Sequence, residues 1–221
     1  MTSLTTSPVA ELLTRLFADA DRTTADLHEM FGALTPEERA ARMADLNTDY
    51  RQFYHRAREL HLAVSPETGR LLYMLARATG ARAIVEFGTS FGISTIHLAA
   101  AVRDNGGGRV IGSEFEANKV AAARDNLRAA GLADLVEVRE GDALETFARD
   151  LPDPIDFVLL DGHKALYPKI LELVAPRLRA GACLVADNAD ASPAYLTRVR
   201  AADGGYLSVP FGADVELSIK L

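Results

Sequence analysis

The sequence is poor in cysteine and has no long apolar run. Its one cysteine, Cys183, cannot form a disulfide within the chain, and no Cys and His residues have the spacing of a zinc site. Cys183 lies in an apolar stretch, where we expect a buried core thiol. No apolar run reaches the roughly 20 residues that span a bilayer, and residues 1–8 are polar, unlike a signal segment. The sequence therefore predicts a cytoplasmic protein that does not associate with membranes.

A net positive charge is also absent. The formal net charge is −7, and no run of lysine and arginine alternates with aromatic residues. Binding to nucleic acid normally requires a basic face, so the composition disfavours a nucleic-acid partner. The chain has 221 residues, of which 48% are hydrophobic and 25% charged. This length and composition are typical of one globular domain with a full core.

The first part of the chain has the apolar spacing of helices. The predicted helices are residues 8–20, 24–31 and 35–60. The third of them begins at Thr35, which forms a capping box with Glu38. We interpret residues 1–60 as a helical appendage and residues 61–221 as the main domain.

Beyond a further helix from Ser65 to Gly80, short apolar runs alternate with helical stretches. The predicted strands are residues 83–87, 109–112, 136–139, 155–160 and 182–186. The predicted helices among them are residues 93–102, 117–130, 143–150, 166–178 and 193–200. Two last extended runs, 206–209 and 215–221, are separated by Pro210, Phe211 and Gly212 and have the pattern of a hairpin.

This alternation predicts an α/β fold. Crossover units give a doubly wound, mostly parallel seven-stranded sheet with helices on both faces. The strands are apolar on both faces, as a sheet covered by helices requires. We expect an antiparallel C-terminal hairpin at the sheet edge and the helical appendage at the N-terminal end.

The loop after the first strand has the character of a cofactor-binding loop. Gly88 permits a tight turn, and Gly92 lets the next helix pack close to the strand. A dinucleotide site needs a further glycine at position 90, which is Ser90 here. Glu86 would repel a pyrophosphate but suits a ligand with a cationic amino group, such as S-adenosylmethionine. Glu114, at the end of the second strand, is placed to accept hydrogen bonds from ribose hydroxyls.

Two later strands end in oxygen-bearing side chains. Asp161 follows the fourth strand, and Asp187 and Asn188 follow the fifth. The carboxyl ends of parallel strands meet at one rim, so these side chains could hold a hard cation such as Mg²⁺. The alternative is that they cap helices. Lys164, three residues after Asp161, is a candidate general base.

These motifs resemble the cation-dependent class I S-adenosylmethionine O-methyltransferases, the group of catechol O-methyltransferase and the caffeoyl-coenzyme A O-methyltransferases. The similarity runs from about Leu62 to Leu221. The matching segments, in chain order, are Val64-Ser65-Pro66-Glu67-Thr68-Gly69, Val85-Glu86-Phe87-Gly88-Thr89-Ser90-Phe91-Gly92-Ile93-Ser94, Glu114, Glu140-Gly141-Asp142-Ala143-Leu144, Leu160-Asp161-Gly162-His163-Lys164-Ala165-Leu166-Tyr167 and Ala186-Asp187-Asn188.

The resemblance implies a role for each matching position. The methionine end of the cofactor would be held by Val64, Glu86, Gly88, Thr89 and Ser94. The ribose would meet Glu114, and the adenine would meet Asp142, Ala143 and His163. The metal would be held by Asp161, Asp187 and Asn188, with Asp161 also counted among the cofactor residues. Lys164 would be the base that takes a proton from the acceptor.

The resemblance further implies a small acceptor, a vicinal aromatic diol such as a catechol, and a homodimer. It also implies that residues 1–60 serve as an acceptor cap or a dimer contact. His163 stands where relatives carry other residues, residues 211–216 follow the family ending loosely, and the helices before Leu62 have no match. The acceptor therefore stays open. One group of residues before the matched region either packs helices or lines the acceptor pocket: Tyr50, Phe53, Tyr54, His55 and His61.

Three other functions stay open. A methyltransferase without metal chemistry could act on another oxygen or nitrogen. A cofactor-binding module could lack turnover. A nucleotide-binding oxidoreductase is disfavoured by the missing glycine at position 90.

Overall fold

The protein folds around one seven-stranded sheet. The computed structural model describes residues 2–32, 35, 38, 50–212 and 214–221. The strands are β1 (Ala83–Phe87), β2 (Arg109–Glu114), β3 (Val136–Glu140), β4 (Ile155–Leu160), β5 (Leu178–Ala186), β6 (Tyr206–Phe211) and β7 (Val215–Lys220). The helices of the described residues are α1 (Val9–Gly32), α2 (Tyr50–Arg56), α3 (Pro66–Ala78), α4 (Ile93–Asp104), α5 (Ala117–Ala129), α6 (Ala143–Thr146), α7 (Tyr167–Val174) and α8 (Pro193–Arg200).

The strand order is β3-β2-β1-β4-β5-β7-β6. The first five strands pair in parallel, and β7 pairs antiparallel with both β5 and β6. This confirms the predicted doubly wound sheet with a C-terminal antiparallel hairpin. The order reverses between β1 and β4, where ligands bind in sheets of this kind. Phe87 pairs with Leu160 in register, so the loops that follow these two strands begin side by side.

Helices cover both faces of the sheet. Along β4, Phe157 and Leu159 belong to one buried cluster, while Val158 and Leu160 belong to another. Side chains alternate between the two faces of a strand, so each cluster lies on one face. The first cluster contains residues of α1, α3, α4 and α5, and the second contains residues of α7 and α8. Cys183 is buried in the first, which confirms the predicted core thiol.

The N-terminal helix packs into this core. Val9, Leu12, Leu13, Leu16 and Ala20 are buried on α1 and belong to the same cluster as α4. Their spacing is the helical periodicity on which the prediction rested. None of the helices in the described part of the chain is long and apolar enough to cross a bilayer.

The predicted break between two N-terminal helices is wrong, because α1 is continuous from Val9 to Gly32. Residues 9–31 contain no glycine or proline that would end the helix. The hydroxyls of Thr23 and Thr24 donate to the carbonyl of Ala20, one turn earlier, at 3.2 and 2.8 Å. These polar side chains are thereby satisfied within the helix.

The capping box of the third predicted helix is confirmed. The main-chain N–H of Thr35 donates to Glu38 at 2.8 Å, and that of Glu38 donates to the Thr35 hydroxyl at 3.2 Å. Residues 36–37 and 39–49 of this predicted helix lie outside the described residues. Its end near Leu60 is wrong, because α2 ends at Arg56.

The predicted helix over 143–150 is a single turn, α6. Arg139 donates to the main-chain carbonyls of Thr146, Arg149 and Asp150 at 2.7 to 2.8 Å. These carbonyls lie within the segment that was predicted to be helical. The left-handed conformation of Asp150, with φ 52°, also ends helical geometry. The hydrogen bonds from Arg139 thus hold this segment in a non-helical conformation despite its helical sequence pattern.

Two residues predicted to separate the last strands, Pro210 and Phe211, lie inside β6. Proline is tolerated here because β6 is the edge of the sheet, where one side of the strand has no ladder partner among the described strands. The turn between β6 and β7 therefore begins two residues later than predicted, at Gly212, whose φ is 67°.

Candidate active site

A cavity of about 570 Å³ opens at the carboxyl ends of the central strands. Its volume is within the range usual for small-molecule sites. Loops after β1, β2, β4 and β5 form its floor, and residues of α1 and α2 form part of its walls. The cavity thus occupies the crevice that the strand order predicts.

The glycines of the β1 loop have the geometry that the sequence predicts. Gly88 has φ 98°, and a Cβ at this position would lie 2.5 Å from the carbonyl oxygen of Asp161. Glycine is therefore required for the close approach of the β1 and β4 loops. Gly92 has φ 89° at the start of α4, and a Cβ there would lie 3.4 Å from that of Ala123 on α5. The Gly88 contact confirms the tight turn, whereas Gly92 lies against α5, and its predicted role in packing the next helix on the strand stays a prediction.

Glu86 lies behind the loop rather than on the cavity wall. Its carboxylate is fully buried and accepts hydrogen bonds from the hydroxyls of Thr89, Ser94 and Thr95 at 3.0, 2.7 and 2.5 Å. Burial raises the pKa of Glu86 to about 7, against the opposing effect of the three hydroxyls. Glu86 therefore holds the β1 loop in position from its buried side. It can affect ligand binding only indirectly, by positioning the three residues whose hydroxyls bond to it.

Glu114 anchors the next part of the cavity wall. One carboxylate oxygen accepts the main-chain N–H of Ser90 at 2.7 Å, and the other accepts that of Glu116 at 2.9 Å. The Ser90 hydroxyl oxygen is buried and has no hydrogen-bond partner among the described residues. A buried polar atom of this kind is costly unless a ligand or water satisfies it. This part of the cavity therefore fits a ligand with polar groups, such as a ribose.

Asp142 and His163 stand at the far end of the cavity. The Oδ1 of Asp142 caps α6 by accepting the N–H of Leu144 at 2.9 Å, and its Oδ2 accepts from Arg51 at 2.7 Å. His163 is half-buried, and Tyr50 stacks on its ring with a centroid distance of 4.7 Å. Burial and the charge of Lys164 lower the pKa of His163.

An acidic cluster lies at the ends of β4 and β5. Lys164 donates to Asp161 at 3.0 Å, and Asn188 donates through its amide nitrogen to Asp214 at 3.0 Å. Burial raises the pKa of Asp161, and Lys164 opposes this effect. Burial and then the charge of Asp161 raise the pKa of Asp187 to about 7. The two carboxyl groups therefore repel one another when both are ionised.

This cluster fits a hard divalent cation by its donor chemistry. It presents two carboxylates and an amide, and the amide oxygen of Asn188 stays available because the nitrogen is the atom bound to Asp214. Oxygen donors of this kind suit Mg²⁺, and a cation would relieve the repulsion between Asp161 and Asp187. Within the described residues, no group of three or more His, Cys, Asp or Glu side chains has the arrangement of a metal site.

The structure brings most of the predicted site residues to one cavity. Those on its wall are Val64, Gly88, Glu114, Asp142, Ala143, Asp161, His163, Lys164, Asp187 and Asn188. Thr89 and Ser94 line a small adjoining recess, and Glu86 lies behind both. Their spatial grouping agrees with the predicted site, while the role of each residue stays a prediction.

Five aromatic and histidine residues between positions 50 and 61 were predicted either to pack helices or to line the acceptor pocket. Three of them line the cavity: Tyr50, Tyr54 and His61. His55 instead pairs with Glu116, its Nδ1 lying 3.3 Å from the carboxylate. The side chain of Phe53 lies outside the described part of the structure.

Several wall residues were not predicted. Phe17, Asp21 and Thr24 reach the cavity from one face of α1, and Arg51 contacts its rim from α2. The spacing of i, i+4 and i+7 in α1 is the signal that groups these side chains. Lys119 is also buried in the wall, and its Nζ lies 5.5 Å from the ring centroid of Phe91.

A family model described as "Methyltransferase domain" matches residues 85–189. A catechol O-methyltransferase from Mycobacterium tuberculosis is 39% identical over 127 residues, which are 58% of this chain and 57% of that protein. A putative O-methyltransferase from Mycolicibacterium smegmatis is 33% identical over 150 residues, covering 63% of this chain and 70% of that protein. The alignments thus span little more than half of the catechol O-methyltransferase.

Solved structures extend the likeness over more of the chain. The O-methyltransferase of Bacillus cereus in complex with S-adenosylhomocysteine has a TM-score of 0.69 and 25% identity, and the match covers 91% of this chain and all of the other. The chain belongs to the class I O-methyltransferases, the family that includes catechol and caffeoyl-coenzyme A O-methyltransferases.

Proposed function

We propose that the protein transfers a methyl group from S-adenosylmethionine to a hydroxyl of a small, catechol-like aromatic acceptor with the assistance of a divalent metal. The observation that carries this proposal is the position of Asp161 and Lys164. They follow β4, and Asp161 contacts the β1 loop at Gly88. The donor loop and the polar cluster therefore share one cavity.

The β1 and β2 loops would bind the methyl donor. Gly88 would admit the ligand close to the main chain. Glu114 would face the ribose together with the Ser90 hydroxyl, which has no hydrogen-bond partner among the described residues. Asp142 and His163, on the wall of the same cavity, would meet the adenine. The relatives support this assignment, since the B. cereus enzyme was solved with the demethylated donor.

The β4 and β5 ends would bind the acceptor. Asp161, Asp187 and Asn188 would hold a divalent cation, which supplies a lowered pKa for an acceptor hydroxyl. Lys164 lies within hydrogen-bonding reach of the same cluster and would take the hydroxyl proton or stabilise the phenolate. Methyl transfer then forms an oxygen–carbon bond and breaks the carbon–sulfur bond. Holding both substrates in line supplies much of the acceleration.

The metal role is tested by an assay of methyl transfer to a catechol after EDTA treatment and again after Mg²⁺ is restored. We expect activity to disappear and return. Unchanged activity in EDTA would refute the metal role and leave a metal-independent methyltransferase, which the direct Lys164–Asp161 contact of 3.0 Å also allows. Full activity of Lys164→Ala would refute the proton role of that lysine.

Catalysis itself is separated from cofactor binding by two measurements. A thermal-shift comparison of S-adenosylhomocysteine with NAD identifies the cofactor, because a ligand that binds the folded state raises its melting temperature. Stabilisation by S-adenosylhomocysteine with no methyl transfer to a panel of phenols, other alcohols and amines would favour a non-catalytic binding module. Stabilisation by NAD alone would refute the methyltransferase proposal.

We also propose a homodimer that forms through the outer face of the β6–β7 hairpin. Leu207, Val209, Phe211 and Ile219 are 63, 52, 49 and 46% exposed there. Burying the exposed half of four such side chains contributes about 1 kcal/mol each, or about 8 kcal/mol over two copies. This gain is of the same order as the entropic cost of association, so the four side chains would offset that cost and the remaining contacts of the hairpin would supply the net affinity.

The dimer is tested by the sedimentation of Leu207→Asp against Met74→Asp. Met74 is equally exposed at 63% but lies on α3, which makes it a matched control. We expect the wild type and Met74→Asp to be dimers and Leu207→Asp to be a monomer. If Leu207→Asp is still a dimer, the hairpin contact is refuted. The N-terminal helices would then be the alternative interface.

A further inference from the structure

Helix α2 fastens the N-terminal part of the chain to the cofactor side of the cavity. Arg51 on α2 donates to Asp142, and the two residues are 91 positions apart in the chain. At the other end of the helix, His55 pairs with Glu116 at 3.3 Å. Just after it, the carbonyl of Arg58 accepts the side-chain N–H of Asn118 at 2.9 Å. All of these partners belong to the loops and helices that follow β2 and β3.

The contacts at the start of α2 fall on the residues assigned to the adenine. The Oδ1 of Asp142 accepts the capping N–H of α6, and its Oδ2 accepts from Arg51, so Arg51 is fixed beside a residue assigned to the adenine. Tyr50 covers one face of the His163 ring at an interplanar angle of 16°. The guanidinium carbon of Arg51 also lies 5.8 Å from the ring centroid of Phe115. Two adjacent side chains therefore bridge three elements around the adenine end.

The two partners of the Arg51–Asp142 contact differ in their exposure to solvent. Asp142 is 12% exposed and faces the cavity, whereas Arg51 is 57% exposed and reaches it from outside. A residue that faces solvent on one side and the cavity rim on the other can move outward without disturbing the core. The α2 contacts are thus placed to open while the β-sheet and its loops stay in position.

We propose that Tyr50 and Arg51 form a clasp over the adenine end of the cofactor site, and that this clasp must open for the cofactor to enter or leave. The proposal rests on the proposed function, because it takes Asp142 and His163 as the adenine residues. It assigns Tyr50 and Arg51 to cofactor exchange rather than to the acceptor. The acceptor cap would then be formed by other parts of the N-terminal segment.

The experiment measures exchange of radiolabelled S-adenosylhomocysteine. The wild type and variants are loaded with label, chased with unlabelled ligand and sampled for the dissociation rate, and the association rate is measured separately. We expect Arg51→Ala and Tyr50→Ala each to raise both rate constants by about threefold or more, the scale of one partly exposed ion pair or ring stack. The Kd should change less than either rate constant.

A matched control is available on the same helix. Arg56 bonds to Gln52 within α2 at 2.5 Å, so Arg56→Ala changes charge and length without touching the clasp. It should leave both rates unchanged. In an Asp142→Asn background, Arg51→Ala should add no further acceleration, since the two side chains act as a pair. Thermal unfolding without ligand checks that each variant is folded. If Arg51→Ala does not fold, Arg51→Gln replaces it in the exchange experiment.

Each outcome decides the proposal. Unchanged exchange rates in both clasp variants would overturn it, and so would equal acceleration in Arg56→Ala. A loss of affinity in Arg51→Ala that arises from dissociation alone, with association unchanged, would make Arg51 a direct ligand and would also overturn the clasp. Failure of the wild type to bind S-adenosylhomocysteine would refute the proposed function itself, which is a result distinct from the others.

Discussion

Replacing Glu86 by glutamine should remove a large pH dependence from the stability of the fold. Glu86 is fully buried, and this burial raises its pKa from 4.5 to about 7. The folded state then holds a proton that the unfolded state releases between these two values. The stability contributed by the protonated carboxyl is therefore fully present below pH 4.5 and is lost as the pH rises through about 7.

The size of the effect follows from the two pKa values. One pKa unit corresponds to about 1.4 kcal/mol, so the whole loss is about 3 kcal/mol, and most of it falls between pH 5 and pH 8. Glutamine has nearly the same shape and no charge, and hydroxyl groups can donate to or accept from its amide. The variant should keep the contacts with Thr89, Ser94 and Thr95 while losing the titration.

The assay is urea unfolding of the wild type and Glu86→Gln, without ligand, at pH 5 and pH 8. The difference in unfolding free energy between the two proteins should shift by about 2 to 3 kcal/mol in favour of the variant as the pH rises. Other titrating groups cancel to first order in this difference. An equal difference at both pH values would show that Glu86 titrates as it does in the unfolded chain, and would refute the account of its burial.

Three further substitutions test the geometry of the site. Gly88→Ala should destabilise the fold by about 2 kcal/mol or more and abolish S-adenosylhomocysteine binding, because its φ is 98° and the new Cβ would lie 2.5 Å from the Asp161 carbonyl; calorimetric titration measures the binding. Tyr167→Phe should cost about 1 to 3 kcal/mol in urea unfolding, since the buried hydroxyl donates to two main-chain carbonyls, one of them that of Asp187, at 2.8 Å. Ser65→Ala should cost about 1 kcal/mol in the same assay by removing the cap of α3, and binding should be retained.

The sheet and its order of elements could be predicted because their signals are local. The β1 and β4 strands begin and end where the sequence predicts, at Ala83–Phe87 and Ile155–Leu160. Apolar runs bounded by glycine and charged residues specify such strands without reference to distant parts of the chain. The hairpin followed from the same reasoning, although Pro210 suggested a turn where the edge of the sheet tolerates a strand.

Helix lengths were harder to predict because other segments decide them. The helical pattern over 143–150 is interrupted by Arg139, which takes three carbonyls from that stretch. Conversely, α1 continues through Thr23 and Thr24, whose hydroxyls bond back to the preceding turn. The periodicity of apolar residues predicts neither the hydrogen bonds of Arg139 to this stretch nor the acceptors of the Thr23 and Thr24 hydroxyls.

The sequence by itself determined the cofactor loop and the polar ends of β4 and β5, because strand ends and glycine positions are properties of neighbouring residues. It could not place Glu86 behind the loop, because burial depends on how α4 packs against β1. Nor could it predict the pairing of Arg51 with Asp142, since a contact between residues 91 positions apart exists only after the sheet has assembled. Tertiary packing therefore decided which of the predicted groups face the cavity and which groups close it.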